Sequence, residues 1–330
     1  MPRLRCSPRA FSVLAWISLA AVLANVATGA AVRLSNSGLG CPDWPTCAHR
    51  RLTPPLSLHP VIEFGNRMVV FVLVLACGAT WVASLVRRPA RRDLRWLSGG
   101  LVLGVLAEAV FGAVVVYTHL NAYVVMTHFM IGIALLSVAV LVVLRAAEGP
   151  GRGTPLVRPG TRWAARAYLV LLTLAVAAGT ATTGAGPHAG GPDAKRVPIA
   201  LADMARIHAE LALATGAVLL GILWTLWRQD APAAAQDRGR ILLAAMVAQG
   251  IVGYTQYFTH LPAVLVGIHV LGSSLVWSAA LWFHHGLAAR PPADAAPEGA
   301  APTGDARGDG TGGDGGGSLP ADRDPAGVPA

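Results

Sequence analysis

Three histidines lie within long apolar stretches of the sequence. His128 ends the stretch AEAVFGAVVVYTHLNAYVVMTH (107–128), and His269 ends AQGIVGYTQYFTHLPAVLVGIH (248–269), which aligns with the first stretch without a gap. Apolar bias does not explain the matches, because they include the threonine and histidine of a THL tripeptide and the final histidine. The chain is therefore a duplicated module. Since ionisable groups are costly inside membrane segments, these histidines, with His208 in a third apolar stretch, predict a functional site.

Metal ligation is the chemistry that suits the three histidines. Counted inward from the predicted outer helix ends, each lies about seven or eight residues deep, which is roughly 10 to 12 Å at the helical rise per residue. Two imidazoles at one level on different helices can ligate a haem iron from its two faces, and His208 and His269 fit that role. Small residues one helical turn away leave room for the macrocycle. The alternative is a set of hydrogen bonds between helices; zinc is disfavoured because the second copy lacks thiolate or carboxylate companions at this level.

A second polar cluster occupies the segment VIEFGNRM. Glu63, Asn66 and Arg67 share one helical face at spacings of three and four residues. Asn66 takes the place that His208 has in the second copy. Two interpretations stay open for Glu63: it forms an ion pair with Arg67 that hides both charges, or it moves protons near a bound haem while Arg67 neutralises it or a propionate.

Two further features are predicted to stabilise the fold or take part in redox chemistry. Glu108 aligns with Gln249, and either side chain could hydrogen-bond across helices, so Glu108 receives little functional weight. Cys41 and Cys47 share the loop SNSGLGCPDWPTCAHR. In the oxidising space outside a bacterial membrane this pair is expected to form a disulfide. Closing so short a loop contributes roughly 2 kcal/mol as a staple; a redox-active pair is the equal alternative.

Hydropathy indicates which elements position these residues. The chain of 330 residues is 54% hydrophobic and only 13% charged, whereas roughly a quarter of the residues are charged in soluble domains. It is therefore predicted to be an all-α membrane protein. Its net charge of +9 lies in short clusters between apolar runs, so we expect no nucleic-acid partner. Eight runs are long enough to cross a bilayer: 11–32, 61–86, 97–117, 122–144, 164–183, 198–227, 241–258 and 262–283.

Arginine placement predicts the orientation of these spans. Basic residues are concentrated before the first span and in every second connection thereafter. The positive-inside rule then places both termini in the cytoplasm of a multi-pass plasma-membrane protein. The first span has the basic start and small-residue end of a cleavable signal peptide. The repeat instead favours an uncleaved helix, because it pairs spans one to four with spans five to eight.

The repeat also predicts the domain organisation. Each set of four spans forms a four-helix bundle. The tail is rich in Gly, Pro, Ala and Asp, which predicts disorder. The predicted divisions are a cytoplasmic N-terminus (1–10), a first bundle (11–146) with an outer loop (33–60), a cytoplasmic linker (147–162), a second bundle (163–288) and a cytoplasmic tail (289–330).

Several of these motifs together resemble those of bacterial haem A synthases over about residues 10–288. They are the loop SNSGLGCPDWPTC, the segment TGAGPHAGG (183–191), and Glu63, His128, His208 and His269. The resemblance implies two four-helix bundles related by a pseudo-twofold axis along the membrane normal. It also implies a haem b cofactor between His208 and His269, and a first bundle that receives haem O, whose methyl group is oxidised to the formyl group of haem A. Glu63, Cys41 and Cys47 match the acidic residue and the cysteine pair of the family.

Asn66 departs from the family pattern, which commonly has a histidine there. An amide is a poor iron ligand, so His128 alone would hold the substrate iron and one axial position would be open or water-filled. The resemblance makes haem O synthase and terminal oxidase assembly plausible partners beside membrane lipid, allows a homo-oligomer, and leaves the electron partner unidentified. The alternative functions are a b-type electron-transfer protein and a quinone-linked thiol oxidoreductase. A repeat transporter is disfavoured, because clear mid-membrane interruptions are lacking.

Overall fold

The computed structural model describes residues 5–47, 53–191 and 194–292 of the chain. In these ranges it contains eight helices that are long and apolar enough to cross a membrane. The predictions of an all-α fold with eight spans and of a multi-pass membrane protein are therefore confirmed. The helices are α1 (Pro8–Leu34), α2 (Leu58–Val86), α3 (Arg92–Tyr117), α4 (Ala122–Ala146), α5 (Pro159–Ala185), α6 (Leu201–Arg228), α7 (Ala233–Phe258) and α8 (Ala263–His285).

Most helices extend beyond the apolar runs that predicted them, whereas the run 198–227 begins three residues before α6. α3 begins at Arg92 although its apolar run begins at residue 97, and α7 begins at Ala233, eight residues before its run. Hydropathy marks where a bilayer begins, whereas a helix continues into the polar interface for as long as its backbone is hydrogen-bonded. Local caps set other ends: the Ser7 side chain accepts from the Ala10 amide at the start of α1, and Asn121 caps α4.

Each half of the chain closes into a ring of four helices. In the first half, α1 contacts α2 and α4, and α3 contacts the same two helices; α5 to α8 repeat this arrangement. The halves meet where α1 and α4 pack on α8 and where α4 packs on α5. At this junction Trp277 Nε1 donates to Ser137 Oγ at 2.7 Å. These contacts fit the predicted bundles, while their boundaries, the pseudo-twofold axis and the membrane orientation stay predictions.

The connections α1–α2, α3–α4, α5–α6 and α7–α8 lie on one side of the helices, which we call the loop side. The two THL turns on this side repeat in backbone conformation as well as in sequence. His119 and Leu120 have φ angles of 50° and 59°, and His260 and Leu261 have 61° and 60°. Non-glycine residues rarely adopt such left-handed conformations. The duplication therefore extends to the way in which α3 turns into α4 and α7 into α8.

Charged side chains join the two halves on the opposite side, which we call the terminal side. Arg91 and Arg145 bind Asp93, and Arg145 also binds Glu148, whose carboxylate contacts His285 in the second half. The short strands β1 (Thr154–Pro155) and β2 (Ala288–Ala289) pair antiparallel beside this network. Most of the predicted disordered tail, residues 293–330, lies outside the described residues.

Candidate functional site

His208 on α6 and His269 on α8 lie together inside the second half of the chain. Their ring centroids are 6.1 Å apart, and the ring planes are nearly perpendicular at 85°. A bond of about 2.0 Å from a transition metal to each imidazole nitrogen puts two rings on opposite sides of the metal at a centroid separation of roughly 6 Å. The spacing that the structure gives to these two histidines is therefore compatible with two ligands on opposite sides of one metal ion.

Hydrogen bonds from neighbouring helices hold the ring of His208 and the backbone of His269. The Nδ1 atom of His208 lies 2.8 Å from the Ala175 carbonyl oxygen on α5, to which it donates. This bond fixes the tautomer and leaves Nε2 free as a ligand. Gln249 holds the backbone of His269 through a bond from Nε2 to the His269 carbonyl oxygen at 2.6 Å. A neighbouring helix thus orients the His208 ring directly, whereas at His269 it holds only the backbone, because the Nδ1 atom of that ring has no hydrogen-bond partner among the described residues.

Glycines make the close approach of the two rings possible. A Cβ atom at Gly179 would lie 3.0 Å from His208 Cε1, and one at Gly253 would lie 3.0 Å from His269 Cε1. Any larger residue at these positions would push an imidazole out of place. These residues fit a haem held by two histidines. Within the described part of the chain, no three His, Cys, Asp or Glu side chains gather as they would around a bare metal ion.

In the first half of the chain, the histidine lies beside a carboxyl group instead of a second histidine. His128 on α4 faces Glu108 on α3, with 3.5 Å between His128 Nδ1 and Glu108 Oε2. Gly112 lies against the same ring, because its Cβ atom would come to 3.9 Å from His128 Cε1. Gly112 aligns with Gly253, so the small residue beside the imidazole is part of the repeat. The carboxyl group of Glu108 is not part of the repeat, because the second half has Gln249 at the aligned position.

Asn66 is bound to the first helix. Thr28 Oγ1 on α1 donates to Asn66 Oδ1 at 2.6 Å, and the Ala24 carbonyl oxygen, at 3.0 Å, competes for the same hydroxyl proton. The carboxamide oxygen is therefore satisfied by a hydroxyl on a neighbouring helix. The sequence did not predict this bond, because nothing in it places Thr28 opposite Asn66.

Glu63 and Arg67 form the ion pair that was one of the two interpretations. Glu63 is 5% exposed, and its Oε1 accepts from an Arg67 terminal nitrogen at 2.6 Å. Its Oε2 accepts from the Cys41 amide at 2.7 Å. Arg67 donates to the carbonyl oxygens of Cys41 and Asp43 at 3.1 and 2.7 Å, and to those of Pro45 and Thr46. The pair therefore binds the cysteine loop to the start of α2.

Cys41 and Cys47 form a disulfide with an S–S distance of 2.05 Å, and both are fully buried. The loop around them packs tightly on α2. A Cβ atom at Gly40 would lie 2.5 Å from the His59 backbone, so only glycine fits there. Ser37 Oγ and His59 Nδ1 are 2.9 Å apart. The glycine of the GLGC motif thus lets the loop backbone lie against the backbone of α2. Glu63 and Arg67 then fix the loop there through their hydrogen bonds to Cys41.

The segment 183–191 of the second half docks on the same loop side. Arg33 Nε donates to the His188 carbonyl oxygen at 2.9 Å, and His188 Nε2 donates to the Leu261 carbonyl oxygen at 2.8 Å. The Gly38 amide donates to the Gly190 carbonyl oxygen. These bonds join the first loop, the α5–α6 connection and the second THL turn. Sequence reasoning gave His188 no partner, because the contacting residues are distant along the chain.

Comparison with known proteins matches most of this chain to one family. The family described as COX15-CtaA, cytochrome oxidase assembly protein, matches residues 12–60 and 57–281. That match runs from within α1 to within α8 and includes every histidine discussed above except His285.

Curated relatives match part of the chain. A protein named heme A synthase from Geobacillus kaustophilus is 36% identical over 135 residues, which are 38% of this chain and 40% of the relative. Proteins of the same name from Bacillus pumilus and Shewanella oneidensis are 33% and 31% identical, over 46% and 39% of this chain and 49% and 43% of the relatives. The matched part thus spans less than half the length of these relatives.

Proposed function

Because this chain belongs to the COX15-CtaA family of cytochrome oxidase assembly proteins, we propose that it is a haem A synthase. In this proposal the protein oxidises a methyl group of haem O to the formyl group of haem A. Written with water as the source of the oxygen atom, the reaction replaces two hydrogens of the methyl carbon by that oxygen, and it releases four protons and passes four electrons to an acceptor. The names of the curated relatives support the activity, and terminal oxidase assembly would use the product. A haem O synthase would supply the substrate.

The observation that carries the proposal is the pair formed by His208 and His269. Their 6.1 Å centroid spacing suits a haem b held on both faces, and the Ala175 carbonyl and Gln249 hold the two histidines in place. When bound, haem b supplies one-electron transfer between the substrate site and an external partner. The histidines serve as its axial ligands in this proposal.

The first half is the proposed substrate site for haem O. His128 would bind the substrate iron, and Glu63, Asn66 and Arg67 lie on the α2 face of the same half. Because Glu63 and Arg67 hold the disulfide loop down, they would limit water entry from the loop side. We retain a proton-transfer role for Glu63, which remains the one carboxylate on this face.

Replacing Asn66 with histidine tests the single-histidine ligation of the substrate. The change breaks the bond from Thr28 and adds an imidazole on the face of α2 where the family commonly has one. We expect the substrate-loaded protein to shift from a spectrum with one histidine ligand to a low-spin spectrum with two, and haem A formation to fall. Optical and EPR spectra with haem O bound measure this. An unchanged spectrum and rate would mean that Asn66 has no role in ligation; Thr28→Val is the control that removes only the hydrogen bond.

The function itself is tested by expression with and without a supply of haem O. Haem is extracted from the purified protein and from the membranes and analysed by mass spectrometry. We expect haem A only when both haem O and the intact protein are present. Haem O that is recovered unmodified would contradict the proposal.

The alternative is a quinone-linked thiol oxidoreductase that contains haem b and uses the Cys41–Cys47 disulfide; the full burial of both cysteines disfavours it, because redox-active cysteines are accessible to their partners. Such a protein would reduce and reoxidise the disulfide without altering haem. In the same experiment it would yield haem b alone, and its disulfide would change redox state on addition of a quinol.

A further inference from the structure

Glu108 on α3 is a buried carboxyl group that faces the half-buried ring of His128 on α4. Glu108 is 7% exposed. Its Oε1 and the His128 Nδ1 are both buried without a hydrogen-bond partner among the described residues. A buried carboxyl group with no partner is expensive inside a membrane. The structure therefore requires a reason for an acidic residue at this position.

The distance between Glu108 and His128 explains why an acidic residue lies at this position. The 3.5 Å between Glu108 Oε2 and His128 Nδ1 is slightly longer than a well-formed hydrogen bond. A small rotation of either side chain closes it, and neither atom has another bond to give up. No other ion pair involves Glu108 within the described ranges of the chain. His128 is thus the group that Glu108 is placed to bind.

The second half of the repeat lacks this interaction. Gln249 aligns with Glu108, but its side-chain nitrogen donates to the His269 carbonyl oxygen at 2.6 Å and not to a ring. His269 Nδ1 has no hydrogen-bond partner in the described structure, and His208 Nδ1 donates to a neutral backbone carbonyl. Of the three histidines, His128 alone has a carboxyl group beside its ring. The duplication has therefore diverged at the position that contacts the histidine.

We infer that Glu108 is a positioning residue that makes His128 a stronger iron donor than either histidine of the other half. Its carboxyl oxygen accepts the Nδ1 proton, which fixes the tautomer and directs Nε2 to the iron of the substrate haem. A carboxylate acceptor also raises the basicity of the imidazole, as second-shell partners of metal ligands do. This favours the ferric state of that iron. The inference rests on the proposed function, because it takes His128 as the ligand of haem O.

The test uses the purified full-length protein in detergent, with haem b in its second half. Ferric protoporphyrin IX is titrated into it as the probe, and the ferrous form is examined by resonance Raman spectroscopy. Only an iron with a single histidine ligand gives the iron–imidazole stretching band, so the signal reports on His128, and His128→Ala should remove it. For Glu108→Gln we expect a loss of probe affinity of about 10- to 100-fold and a shift of this band to lower frequency. Glu210→Gln is the control, which removes an exposed carboxylate from the second half and should leave the band unchanged.

Two results would overturn the inference. One is a Glu108→Gln protein whose probe affinity and stretching band equal those of the unaltered protein, and the other is an unaltered protein with no band that depends on His128. The low-spin haem b spectrum of the second half serves as the folding control. A protein that shows the Glu108 effect but forms no haem A would contradict the proposed function alone, while haem A formation with no Glu108 effect would contradict this inference alone.

Discussion

Replacing His208 with alanine is expected to abolish the low-spin haem b signal of the purified protein. The change removes one of two imidazoles whose centroids are 6.1 Å apart, so the iron keeps one protein ligand. His269→Ala should have the same effect, because each ring supplies one face of the same site. The optical and EPR spectra of protein purified at equal yield measure this. Haem A formation should be lost as well, since electrons could no longer leave the substrate site.

His128→Ala is the matched control for this prediction. It removes an imidazole from the corresponding place in the repeat, but it should leave the low-spin haem b signal intact and prevent binding of haem O. If His128→Ala removed the signal and His208→Ala did not, the assignment of cofactor and substrate to the two halves would be reversed.

Replacing Glu63 with glutamine should have the second largest effect. It removes the charge that neutralises buried Arg67 and weakens the hold on the Cys41 amide. Breaking one member of a buried ion pair typically destabilises a protein by about 3 to 5 kcal/mol. If Glu63 also transfers protons, haem A formation should fall by roughly 100-fold or more. Thermal unfolding measures the first effect and haem analysis the second.

A comparison of two variants separates the two roles of Glu63. Arg67→Gln also releases the loop, so both variants should speed reduction of the Cys41–Cys47 disulfide by an added thiol. Only Glu63→Gln should cause the larger loss of activity, because only it removes the carboxylate. Equal losses in both variants would show that Glu63 acts through the loop alone. Glu210→Gln is a suitable control, because Glu210 pairs with Arg206 at the same spacing while both are exposed, at 62% and 80%.

The helices were predictable because a bilayer imposes its own length on them. The eight apolar runs correspond to eight helices. The largest errors were at polar helix starts such as that of α3, which begins at Arg92 because interfacial residues continue the helix. The repeat was equally visible, and its THL turns also match in backbone conformation. The cysteine pair could be matched by proximity, since Cys41 and Cys47 are separated by only six positions.

Partner choice within the site was not predictable. Helical spacing indicated that Glu63 and Arg67 share a face, but not that this face binds the cysteine loop. Likewise, helical spacing predicted how far along α2 Asn66 lies, but not its hydrogen bond with Thr28 on α1. Glu108 received little weight because its sequence neighbours are apolar, and the group that it contacts is 20 positions away on another helix.

The sequence by itself thus determined the number of helices, the duplication and the level at which each histidine lies, because these follow from hydropathy and spacing along one chain. Only the tertiary structure decided which side chains meet. The rotation of each helix about its own axis is set by packing against its neighbours, so it alone brings His208 to His269, Glu108 to His128, and Arg67 to the carbonyl oxygens of the loop.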